Sequence, residues 1–288
     1  LNLADALWVQ VGYPFEATFL DTLALNYGAG MHVVDYQTAP QDAVDLINGW
    51  VDKQTEGKIP KLVSIDNISD GTELILTNAI YFNAAWSEPF DAKNTKAGDF
   101  VNADGSTASV DMMHGYLETG YAQSDAYQAV VLPYDGHELS MVVVMPAAGK
   151  LADFEASLDA TLADEIVATA GKGEFGVDLT FPKFKFDASF SLKETLAAMG
   201  MGIAFDAKAD FTGISSKGGL VIEDVIHKSF VSVNEAGTEA AAATAVIAGD
   251  TAAPEPATMT VDHPFLFLIR DNATGAILFV GRVENPAQ

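Results

Sequence analysis

Apolar positions recur along this chain with two periods that alternate irregularly, every second residue in some stretches and every third or fourth in others. Leu3 to Val11 alternates as a strand does. Pro14 to Tyr27 and Pro40 to Thr55 read as helices, the second with Val44, Ile47 and Val51 on one face and Gly57 just past its end. Strands are expected at Leu74 to Phe82, Ala129 to Pro133, Leu139 to Met145, Val177 to Phe186 and Ile226 to Val233. Phe265 to Arg270 and Ile277 to Val283 flank the turn Asp271-Asn272-Ala273-Thr274-Gly275 and predict a C-terminal hairpin. Ser191 followed by Glu194 has the capping-box spacing, predicting a helix with Leu192, Leu196 and Met199 on its apolar face and Gly200 closing it. The irregular order excludes a repeat protein and a regular βαβ series and predicts an α+β architecture without an internal linker.

One stretch departs from both periods. Gly237 to Pro256 holds alanine, threonine and glycine, then prolines, with no large aromatic residue; composition alone reads it as a loop or a weak helix. The net charge of −25, from 40 acidic and 15 basic residues, repels phosphate backbones, heparin-like polyanions and anionic lipid surfaces. The absence of cysteine excludes disulfides, thiolate metal sites and a cysteine nucleophile. No apolar run reaches the length needed to cross a bilayer.

A search for catalytic chemistry finds little. The histidines 32, 114, 137, 227 and 263 lack metal-ligand spacing, so no metal or cofactor is expected. There is no nucleophile elbow, Walker loop or dinucleotide fingerprint, and Gly171-Lys172-Gly173 reads as a turn. Acidic pairs such as Asp42 with Asp45 are frequent by chance in so acidic a chain.

Several segments, in order, carry a resemblance. Met259 to Ile269 reads MTVDHPFLFLI; Leu76 to Trp86 reads LTNAIYFNAAW; Ile47 to Ile59 reads INGWVDKQTEGKI; and Val131 to Pro146 contains LPY followed by LSMVVVMP. With Phe181-Pro182-Lys183 and Ile226 to Glu235, they resemble the serpins, inhibitors of serine proteases, in a prokaryotic-like form. The resemblance implies one domain over residues 1–288: a large mixed sheet A, smaller sheets B and C, and surrounding helices. The family's N-terminal helical quarter, which precedes the strand beginning at Leu3, is expected to be absent. It also implies roles. Asn78 and His227 would form the polar shutter at the middle of sheet A, Trp86 would mark the breach at its top, and Lys183 would pair with Glu235.

In such proteins a reactive-centre loop, here about 236–258, enters sheet A as a new strand. Its hinge would comprise Glu235, Gly237, Thr238, Glu239, Ala240, Ala241, Ala242 and Ala243. If Thr238 points inward, so do Ala240, Ala242, Thr244, Val246 and Ala248, none of them charged or large, as burial on an alternating strand face requires. Counting from Glu235 at the family's distance places the scissile bond between Thr251 and Ala252, with Ala248, Gly249, Asp250 and Ala253 as alternatives. No Lys or Arg lies between Gly237 and Val261, which disfavours trypsin-like targets and favours elastase-like or subtilisin-like ones. The expectation is therefore a monomeric suicide-substrate inhibitor rather than an enzyme. It would bind a target serine protease covalently and no nucleic acid, membrane or heparin, in an extracellular or periplasmic setting. The alternative is a non-inhibitory carrier, chaperone or storage serpin.

Overall fold

The computed structural model describes residues 2–26, 31–173, 175–238 and 255–287. In chain order its main elements are β1 (Asn2–Gln10), α1 (Ala17–Asn26), β2 (Met31–Val34), α2 (Pro40–Gln54), β3 (Leu74–Tyr81), β4 (Ala84–Ala85), β5 (Lys96–Val101) and β6 (Thr107–Thr119). Then come β7 (Tyr121–Gln123), β8 (Tyr127–Pro133), β9 (Leu139–Pro146), α3 (Leu151–Ser157), α4 (Ala160–Ala170), β10 (Phe175–Pro182), β11 (Phe184–Ser191) and α5 (Lys193–Leu196). β12 (Ile226–Asn234), β13 (Gly237–Thr238), β14 (Ala257–Thr260), β15 (Phe265–Asp271) and β16 (Ile277–Val283) complete them. Two compact units share these elements, Leu1–Phe82 with Asp187–Phe230, and Asn83–Phe186 with Val231–Gln288.

The largest sheet is mixed and seven-stranded, ordered β2-β1-β3-β12-β13-β4, with β11 also pairing β12. In the first unit β1 runs parallel to β2 and antiparallel to β3. α2 covers one face of this part. Its sequence starts with Pro40, whose missing N–H costs nothing at a helix start. At its end Thr55 Oγ1 donates to Val51 O and accepts from Ile59 N, and Glu56 and Gly57 turn the chain through positive φ. Ala43, Val44, Ile47 and Val51 pack with Ala4, Ala6, Trp8, Ile75 and Tyr81 in one core. Each buried Val or Ile there contributes about 1.5–3 kcal/mol as an upper estimate. Asn48 ties the following loop to the helix: its Oδ1 accepts from Leu62 N and Val63 N, and its Nδ2 donates to Val63 O.

The second unit holds a four-stranded sheet, β14-β10-β6-β5, and a five-stranded one, β16-β15-β9-β8-β7. Phe100, Phe181, Phe184, Phe265 and Phe267 form a connected cluster of rings. α4, opened by Asp159 accepting from Leu162 N at 2.8 Å, buries Ile166 and Ala170 against Ala129 and Val142.

Three expected elements differ. The run Val177 to Phe186 is two strands, because Pro182 has no N–H to continue the ladder and the chain changes sheets at Lys183. The helix expected after Ser191 is only Lys193–Leu196 before Gly200, at φ 107°, breaks it into a wider turn, and Ser191 Oγ donates to Asp224 instead of capping. Met199 is therefore exposed rather than on an apolar face. The strand expected at Leu74 to Phe82 ends at Tyr81, and the rest of the segment Leu76 to Trp86 pairs again only as β4.

Candidate functional site

In the first unit, β3 and β12 lie side by side and parallel, Thr77 to Tyr81 against Ile226 to Phe230. That register sets His227 opposite Asn78, while β1 sets Asp5 on the other side of Asn78. Asn78 Nδ2 donates to Asp5 Oδ1 at 2.6 Å, so its Oδ1 faces His227 Nδ1 at 2.5 Å and accepts from it. Burial holds the His227 imidazole below its ordinary pKa, against the raising influence of the Asp5 charge. A neutral ring donating through Nδ1 satisfies both observations. The three side chains thus clasp three adjacent strands across their middles, and Phe190 stacks at 6.5 Å from the His227 ring.

In the second unit, β12 ends in a tight reversal. Asn234 Oδ1 accepts from Ala236 N at 2.9 Å, and β13 folds back so that Gly237 and Thr238 pair with Asn234 and Val233. The other edge of β13 pairs with β4, Gly237 against Ala85 and Thr238 against Ala84. β13 is thus a two-residue strand held between two others. Position 237 requires glycine: φ is +152°, and a Cβ there would lie 2.2 Å from Ala84 O. Thr238 is fully buried, with its Oγ1 2.8 Å from Tyr134 Oη. Tyr134 stacks on Trp86 at 4.7 Å, and Trp86 Nε1 donates to Asn234 O at 2.9 Å.

Backbone bonds fasten the same reversal, Trp86 N to Ala236 O and Phe90 N to Glu235 O, both 2.9 Å. Glu235 is anchored by its side chain. Lys183 Nζ lies 3.3 Å from both carboxylate oxygens and Thr95 Oγ1 donates at 2.8 Å. Burial alone would raise the Glu235 pKa, but its own backbone N–H, Thr95 and Lys183 together hold it below the usual carboxylate range. Lys183 is placed for this because the chain leaves β10 at Pro182, and Lys183 N donates to Asp111 O.

Of the residues singled out from sequence, Asn78 meets His227, Lys183 meets Glu235, and Trp86 reaches the segment containing Gly237 and Thr238. Glu239, Ala240 to Ala243, Ala248, Gly249, Asp250, Thr251, Ala252 and Ala253 lie outside the described residues. Sequence reasoning missed Asp5, Thr95 and Tyr134, whose partners are distant in the chain and leave no local pattern, and it missed Asn234, whose side chain makes only a short Asx turn to Ala236 N. Among the described residues no three His, Asp or Glu side chains gather as metal ligands.

A family model described as Serpin (serine protease inhibitor) matches residues 1–286. An uncharacterised serpin-like protein of Thermococcus kodakarensis is 43% identical, the match covering 99% of this chain and 66% of the relative. The human leukocyte elastase inhibitor is 38% identical over 99% of this chain and 78% of its own length. An Arabidopsis serpin solved in a native stressed conformation superposes with a TM-score of 0.85 at 28% identity, covering 100% of this chain and 76% of that one. The chain thus spans about two thirds to three quarters of the relatives it matches.

Proposed function

The chain belongs to the serpin family, a family of protease inhibitors rather than catalysts, and from that premise we propose that it traps a serine protease by a suicide-substrate mechanism. Residues 1–288 act as a single serpin domain in this reading. The protease's own serine attacks a carbonyl of the loop at about 236–258, the peptide bond breaks, and an acyl-enzyme ester links loop and protease. The freed loop then enters the large sheet as a strand and carries the ester-linked protease with it. The chain contributes bait and sheet, so it needs no nucleophile of its own.

One observation carries the reading. Gly237 and Thr238, the first two residues beyond the reversal, already occupy a strand between β12 and β4, with Thr238 buried as a core residue. Further along, β3 and β12 remain paired directly to each other. That is the expected starting state of an insertion that has begun and stopped. Glu235, Gly237 and Thr238 form the described part of the hinge, which continues through Glu239, Ala240, Ala241, Ala242 and Ala243. Asn78 and His227 are the clasp that insertion must open, and Trp86 and Lys183 hold the entry point.

A strand of roughly ten residues bonded on both edges gains about 0.5–1.5 kcal/mol per hydrogen bond, on the order of ten in all. Folded domains are stable by about 5–15 kcal/mol, so the gain suffices to distort a tethered protease. The small residues around Thr251 and Ala252, together with the leukocyte elastase inhibitor among the relatives, favour an elastase-like or subtilisin-like target. Nothing in the trap requires the extracellular or periplasmic setting expected from the family, since the chain has no cysteine to keep oxidised.

The test is incubation with pancreatic elastase and with subtilisin, followed by denaturing electrophoresis, mass spectrometry and thermal melting. The expected result is a complex that survives SDS, an adduct mass locating the cleaved bond, and a raised melting temperature for the cleaved inhibitor. Cleavage within 236–258 with neither complex nor rise in melting temperature would instead assign the chain to the non-inhibitory serpins.

A further inference from the structure

β13 is only two residues long, so its ladder bonds are few and any side-chain bond is a large share of its hold. Thr238, its second residue, supplies one: its Oγ1 lies 2.8 Å from the hydroxyl of Tyr134, and both residues are fully buried. The phenol is aimed rigidly. Its ring stacks on Trp86 at 4.7 Å with the planes 12° apart, Trp86 and Tyr134 form a backbone bridge, and Tyr134 N donates to Leu139 O. A phenylalanine would fill the same space and stack as well, whereas burying a hydroxyl costs free energy unless it is bonded. What the oxygen adds over a phenylalanine ring is its bond to Thr238. Burial holds this phenol above its ordinary pKa, so the hydroxyl keeps its proton and stays neutral.

We propose that the Tyr134 hydroxyl is the catch that keeps Thr238 in the sheet of the uncut protein, and that this head start decides how often an attacking protease is trapped instead of released. Tyr134 is thus a positioning residue, acting through Thr238. The catch stands on its own geometry; the head start rests on the suicide-substrate reading. In that reading the cut loop races hydrolysis of its ester. The slow part of adding a strand is its first contacts, whose entropy is lost before any ladder is gained. Two residues already paired on both edges put that step behind the loop before the protease arrives. If the catch is weakened, β13 leaves the sheet more of the time, and more ester hydrolyses before insertion is under way. The pairing of the two groups makes the idea testable. Removing one hydroxyl leaves the other buried and facing carbon, whereas replacing both by apolar groups of the same shape is nearly neutral.

The experiment is a double-mutant cycle on the intact, uncleaved protein: the parent, Tyr134→Phe, Thr238→Val and the two changes together. Amide hydrogen exchange at Gly237 and Thr238, read without protease, should quicken about two- to tenfold in either single variant, the size of one hydrogen bond. In the double variant it should return to within about twofold of the parent. The stoichiometry of inhibition with pancreatic elastase or subtilisin should rise about two- to fivefold with Tyr134→Phe and fall back when Thr238→Val is added. A Tyr134 that acts by packing alone gives no change on losing one oxygen, or a loosening that Thr238→Val does not repair, and either result would overturn the catch. Faster exchange with an unmoved stoichiometry would overturn the head start. If the parent forms no SDS-stable complex, the trap and the head start fall together, while the exchange cycle still decides the catch.

Discussion

Thr238 carries the sharpest residue-scale prediction. Its side chain is fully buried against Tyr134, in a strand that has neighbours on both edges. Thr238→Arg puts a charge at a fully buried position, which in the proposed trap drives that residue back out of the sheet. Exposed to elastase or subtilisin, that variant should be cleaved and released, with the complex band lost from the gel and the stoichiometry of inhibition rising severalfold. His227 gives a second prediction. Its folded pKa lies below the unfolded value of about 6.5, so the unfolded chain takes up a proton more readily. The stabilisation from the neutral ring is complete above about pH 6.5 and declines as pH falls from there towards the folded pKa. Urea midpoints at about pH 7.5 and 5.5 should therefore drop more for the parent than for His227→Gln, which has no proton to bind.

Among the elements, α2 governs how firmly its part of the sheet is covered. Ile47 is fully buried in the core that α2 shares with β1 and β3, whereas its neighbour Leu46 is 58% exposed. Ile47→Ala should cost about 2–5 kcal/mol by chemical denaturation, and Leu46→Ala less than about 0.5 kcal/mol. α2 was also among the elements most legible in the sequence, since one amphipathic face, a leading proline and a following glycine agree. The strands with continuous or alternating apolar runs, β1, β3, β8, β9, β12, β15 and β16, were legible for the same reason. β5 and β6 were not: KAGDFV and the polar half of β6 put charged and small residues on a solvent-facing side, so the alternation is weak. α3 is only seven residues long, and the chain between Ser191 and Gly200 mimicked a capping box while its serine bonded a distant aspartate. At the candidate site, partners belonging to family motifs could be foreseen by resemblance. Tyr134, Thr95 and Asp5 meet their partners only once the sheets have formed.

Taken as a whole, the molecule is strongly anionic, and in the proposed trap that bears on how fast it meets a protease. With a net charge of −25, association with a protease of net positive charge is steered electrostatically. The screening length falls from about 10 Å at 0.1 M salt to about 3 Å at 1 M. The second-order rate of inhibition should accordingly drop about tenfold between roughly 0.05 and 0.5 M salt for a cationic protease. For an anionic one it should hold steady or rise; stopped-flow or progress-curve kinetics with one of each decides it.

Asn78 and His227 face each other although 149 positions separate them in the chain. Bringing such remote partners together is entropically slow, so β3 waits with one flank bare during much of folding. A bare flank accepts any extended backbone that reaches it, including one from a neighbouring molecule at the same stage. Recovery of properly folded protein after denaturation is thus set by a race between an internal and an external suitor for one flank, and dilution decides the winner.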